Sequence, residues 1–162
     1  MEMHATRTLG ADRATVWAAL NDAEVLKACI PGCEELTGSP EEGFHAIVKQ
    51  KVGPVKATFK GAVTLSDVVP ETSYTISGEG KGGVAGFARG AAQVALSDAE
   101  GGGTNLHYDV DAKVGGKLAQ LGSRLIDSFA RKMADQFFER LQAHVETGAA
   151  PAELESGKPA DA

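Results

Sequence analysis

The chain has 162 residues, 43% of them apolar, and a formal charge of −6 at neutral pH, so a single domain with a core that needs no staples is the simplest expectation. The mildly acidic balance excludes the basic footprint of a nucleic-acid binder. No apolar run is long enough to cross a bilayer and no signal-peptide pattern opens the chain, so the expected location is cytoplasmic, with any membrane contact peripheral.

Residues 2–9 read as a first strand, and 12–20 as a short helix carrying Val16, Trp17 and Leu20. Residues 22–29 read as a second short helix, with Asp22 as N-cap and Pro31-Gly32 as its stop. Cys29 and Cys33 lie at this end. Their spacing is one residue longer than the redox Cys-x-x-Cys pattern, and no second pair completes a zinc site. They are expected to be small apolar residues at a turn, and no metal site is predicted.

The pattern then changes to period two. Strands are predicted at 34–36, 44–52, 55–68, 73–80, 87–96 and 104–114, joined by turns at Gly53-Pro54, Pro70-Glu71, a glycine-rich stretch and Gly101-Gly102-Gly103. In the last strand Leu106, Tyr108, Val110, Ala112 and Val114 face one way, and Asn105, His107, Asp109, Asp111 and Lys113 the other. Beyond Gly115-Gly116 one amphipathic helix is predicted over 117–145, its stripe including Leu121, Leu125, Phe129, Met133 and Phe137. Strand, two short helices, a meander of strands and one long helix make an α+β fold, a curved antiparallel sheet wrapped around the last helix. The expected division is a domain at 1–146 and a disordered, acidic, Ala/Pro-rich tail at 147–162.

Many inward strand positions are small: Ala46, Ala57, Gly61, Ala88, Gly90, Ala92 and Ala112. Such a concave face either lets the helix approach closely or leaves an apolar cavity, with Trp17, Tyr74 and Tyr108 as polar handles. The predicted lining is Phe59, Phe87, Tyr108, Leu121, Leu125 and Phe129, at inward or rim positions toward the turns at Gly53, Gly82 and Gly115.

Residues 78–90 look superficially like a phosphate loop, but strands flank them where a dinucleotide fingerprint needs a helix. A flexible hairpin or pocket lip is the better reading. The four histidines are scattered, and no nucleophile, base and orienting group assemble locally, so no catalytic residue is predicted. Lys49, Lys51, Lys56 and Lys60 share the polar faces of two adjacent strands. They form a solvated face or a contact patch for anionic lipid or an acidic partner.

Three segments together carry a family resemblance: Asp22-Ala-Glu-Val-Leu-Lys-Ala-Cys-Ile-Pro-Gly-Cys33, Lys51-Val-Gly-Pro-Val-Lys56 with Phe59-Lys-Gly61, and Gly115-Gly-Lys-Leu-Ala-Gln-Leu-Gly-Ser-Arg-Leu-Ile126. With Gly86-Phe-Ala-Arg-Gly90 they resemble the CoxG-like family of carbon monoxide dehydrogenase subunits. The resemblance implies a helix-grip fold of the START/SRPBCC superfamily with an apolar cavity. It also implies an accessory, non-enzymatic role: binding a quinone or lipid and associating a molybdenum carbon monoxide dehydrogenase or related hydroxylase with the membrane and its quinone pool. No covalent cofactor and no catalytic residue come with it. Two alternatives stay open. One is a cyclase or hydratase of the same superfamily acting on an aromatic or polyketide-like substrate, with Tyr74, Tyr108 or Glu79 as acid or base. The other is an interaction module with a filled core.

Overall fold

The computed structural model describes residues 1–147. Of the predicted tail at 147–162, residues 148–162 lie outside the described residues, and Thr147 ends the last helix. Seven strands form one antiparallel sheet: β1 (Glu2–Leu9), β2 (Cys33–Ser39), β3 (Gly43–Val52), β4 (Val55–Val69), β5 (Ser73–Lys81), β6 (Phe87–Asp98) and β7 (Thr104–Gly115). Their spatial order is β1-β7-β6-β5-β4-β3-β2. The chain runs β2 to β7 as a meander, because each connection is a short turn. The two helices α1 (Arg13–Leu20) and α2 (Ala23–Cys29) carry it from one sheet edge, β1, to the other, β2.

Both short helices start where a carboxylate caps them. Asp12 accepts from the Thr15 amide at 2.8 Å, and Asp22 from the Glu24 amide at 2.9 Å. Val16 and Cys29 turn inward and are completely buried. They meet Leu9, Leu106 and Leu141 in the main core, at the end of the sheet where β1 stops and the last helix finishes. Two polar ties close this end: Thr104 Oγ1 donates to the Ala11 carbonyl at 2.7 Å, and the Gly10 amide donates to Glu146 Oε2 at 2.7 Å.

The last helix differs from expectation. Residues after Gly115 form a 3-10 helix, Gly116–Leu121, and only then α3, Ser123–Thr147. Gly122 separates them in a left-handed conformation (φ 89°) that side-chain-bearing residues rarely adopt. Leu118 and Leu121 are three apart, a spacing that fits a 3-10 turn as well as an α-helix, so the apolar stripe runs unbroken through the junction. α3 packs on α2, β1, α1 and β3, crossing the concave side of the sheet.

Candidate functional site

Alternation along the strands decides what faces α3. The middle of the concave face is made of Ala46, Gly61, Gly80, Ala88, Ala92 and Ala112, whose short or absent side chains keep the sheet low beneath the helix. The helix rests on its flanking contacts, and the space over these small residues holds a cavity of about 340 Å³. Phe44, Leu65, Ile76, Val94, Phe137 and Phe138 are among its walls. A second chamber of about 290 Å³ lies toward the Gly53 and Gly115 turns, between Val52, Phe59, Val114, Leu118, Ile126 and Phe129. A stretch walled by Phe59, Gly61, Val63, Gly80 and Ala88 shares residues with both chambers. Small-molecule sites occupy roughly 300–1,000 Å³, and each chamber lies near the lower end of that range.

Polar side chains in the walls are few. Tyr74 and Tyr108 face the larger chamber, and Gln50 the smaller. Tyr74 is buried, and its ring meets Trp17 edge-on with centroids 5.1 Å apart. Burial pushes its phenol far above the ordinary tyrosine range. Among the described residues its hydroxyl has no hydrogen-bond partner. Tyr108 stacks on Phe138 at 5.1 Å, and its hydroxyl accepts from Arg7 at 3.3 Å. Arg7 also pairs with Asp135 and lies over the Phe138 ring, closing the seam between β1 and α3. An arginine only donates, so the Tyr108 hydroxyl keeps its own proton for a ligand acceptor. Gln50 Nε2 donates to the Pro31 carbonyl at 2.6 Å, which fixes the amide and leaves its oxygen free to accept.

The structure distributes the six predicted lining residues. Phe59 and Phe129 border the smaller chamber and Tyr108 the larger. Leu121 packs beside the cluster of Val52, Leu118 and Ile126, and Leu125 stands over Gly53, where an added Cβ would come 2.7 Å from its methyl. Phe87 is on the outer face: it pairs in register with Lys81 and Gly115, and its ring covers Gly115. Because Ala88 points in, the residue before it points out. Lys49, Lys51, Lys56 and Lys60 are all exposed on the outer face, with Lys49 3.3 Å from Glu34. Glu79 is also exposed there, 3.5 Å from Lys81. Cys29 and Cys33 form no disulfide; Cys33 Sγ donates to the Glu35 carbonyl, and burial raises its thiol pKa.

Arg7 and Gln50 were not foreseen, and Phe137 and Phe138, placed on the apolar helix stripe, were left out of the predicted lining. Arg7 and Gln50 did carry a signal: each is polar at a position where alternation demands an inward side chain.

A curved antiparallel sheet closed by one long helix over an apolar space defines a START-like helix-grip protein. Similar solved structures share this architecture. A conserved protein from Geobacillus kaustophilus matches at TM-score 0.84 and 27% identity, over 90% of this chain and 95% of that one. A START superfamily protein from Mycobacterium smegmatis matches at TM-score 0.66 and 16% identity, over 90% and 97%. A protein from Thermus thermophilus matches at 0.67 and 15%, over 93% and 100%. No curated protein matches the chain in sequence. The chain belongs to the CoxG family of carbon monoxide dehydrogenase subunits, which matches residues 7–146. The family is one of accessory subunits, and it implies association with carbon monoxide dehydrogenase. No helix among the described residues is long and apolar enough to cross a membrane.

Proposed function

We propose that this protein is a non-enzymatic carrier of a hydrophobic ligand, a quinone or a lipid. It associates a molybdenum carbon monoxide dehydrogenase or related hydroxylase with the membrane and its quinone pool. The observation that carries this reading is the pair of chambers between sheet and α3, apolar except for Tyr74, Tyr108 and Gln50. A quinone suits these walls. Its isoprenoid tail fills an apolar channel, and its ring carbonyls accept from phenols that keep a proton to give. Tyr74 offers such a proton with no competing partner among the described residues. An acceptor there would give the hydroxyl a partner inside the chamber.

The test is extraction of the purified full chain with organic solvent, followed by mass spectrometry. The reading predicts a quinone or lipid in amounts comparable to the protein. A ligand-free extract, with no uptake of added quinone or phospholipid, contradicts it.

A further inference from the structure

The outer sheet face carries a charge distribution that folding does not explain. The chain is acidic overall, yet cations stand directly opposite one another on paired strands: Lys51 and Lys56, Lys60 and Lys81, Arg89 and Lys113. Like charges in cross-strand register destabilise a sheet. Glu79 lies near Lys81 and stands opposite Arg89 in register, but among the described residues Lys51, Lys56, Lys60 and Lys113 have no ion pair. These three pairs belong to the half of the sheet that ends in the Gly53-Pro54 turn, the β5–β6 loop and the Gly115-Gly116 junction. The smaller chamber reaches the same end.

At that end the β5–β6 loop displays an apolar side chain. Val84 is 86% exposed, more than any other large apolar residue described. The loop is not loose. Ala85 beside it is buried, the Gly82 amide donates to the Gly86 carbonyl at 2.8 Å, and the Phe59 ring packs beneath Gly82. The backbone is held from below while Val84 points away. Val68 and Val69 are also partly exposed, but at the opposite end and beside Asp67 and Glu71.

We propose that this end of the molecule docks on an anionic lipid surface, with the paired cations against the headgroups and Val84 entering the apolar layer. The proposal deepens the reading of the protein as membrane-associated and rests on that part of it. Residue type favours lipid over a protein partner: five of the six paired cations are lysines, which are depleted from protein interfaces yet serve well as point charges near anionic headgroups. Docked this way, the smaller chamber faces the bilayer that would supply a quinone or lipid.

Sedimentation of the full chain with vesicles tests this. One set is phosphatidylcholine alone, the other phosphatidylcholine mixed with phosphatidylglycerol. Binding is expected only to the second and should weaken as salt rises. Each paired cation contributes about fivefold in partitioning, so Lys60→Gln with Lys113→Gln should lose on the order of twenty-five-fold. Val84→Ser should weaken binding, and Val69→Ser should not. Equal binding to both vesicle types, no binding, or variants that bind like the parent chain would overturn the proposal. So would binding of these cations to a purified acidic protein with none to the anionic vesicles. Because these residues are outside the cavity, the variants should keep their extracted ligand. Loss of docking with ligand retained is therefore separable from failure of the carrier reading.

Discussion

The Arg7 guanidinium donates to the Tyr108 hydroxyl at 3.3 Å, from a strand position that alternation turns toward the core. The same side chain pairs with Asp135 and covers the Phe138 ring, so it joins β1, β7 and α3 at the cavity wall. Arg7→Met keeps the apolar stem and removes the donors. Arg7 is about a quarter exposed, so solvent screening keeps the loss small, about 1 kcal/mol by urea unfolding. The sharper consequence is in the cavity: a freed Tyr108 hydroxyl should rotate, and affinity for a carbonyl-bearing ligand should change more than stability does.

Two leucines separate packed core from cavity wall. Leu141 is completely buried in the main core, whereas Leu65 faces the larger chamber. Leu141→Ala leaves a new void and should cost about 2–5 kcal/mol. Leu65→Ala enlarges a space that already exists and loses fewer contacts, so its cost should fall to about 1 kcal/mol. Chemical denaturation of both variants measures the difference. Equal costs would mean that the space beside Leu65 is filled by protein.

The β7 end depends on two glycines that touch. Gly116 has φ 70°, and an added Cβ would lie 2.6 Å from the Gly86 Cα; Gly86 has φ 112°, with its own added Cβ 2.0 Å from the Gly115 carbonyl oxygen. Gly116→Ala combines backbone strain with a backbone clash and should destabilise by about 1–3 kcal/mol in thermal or chemical unfolding. Gly101→Ala, also at positive φ but in open space, should cost less.

Tyr74 predicts an alkaline limb in the stability profile. Burial raises its folded pKa above the unfolded value of about 10. The unfolded chain therefore loses this proton first. Stability is fully present below that pH and declines as pH rises above it. Tyr74→Phe should flatten the limb in unfolding measured across the alkaline range. The absorbance titration of the folded parent should also lack one phenolate until unfolding.

Most of the fold was legible because the local pattern and the global arrangement agree. Alternation marked the strands between 44 and 114, the cap Asp22 marked the second short helix, and short turns required an antiparallel meander. The break at Gly122 was hidden because Leu118, Leu121 and Leu125 keep a helical spacing through it. The site was only partly legible. Small inward residues signalled space, but its size depends on where α3 rests, and that is set by distant ties such as Arg7 with Asp135 and Gly10 with Glu146. Phe87 shows the converse: its place follows from parity with Ala88, which outweighs its aromatic character.

The most direct test uses the single tryptophan. Trp17 meets Tyr74 edge-on at 5.1 Å, and Tyr74 walls the larger chamber. A quinone bound there should quench Trp17 fluorescence. Titration with a short-chain quinone should give saturable quenching in the parent chain and little in Ala92→Phe, whose ring would fill the chamber floor, provided circular dichroism shows that variant folded. Non-saturable quenching, or the same curve in folded Ala92→Phe, would contradict a ligand held between sheet and helix.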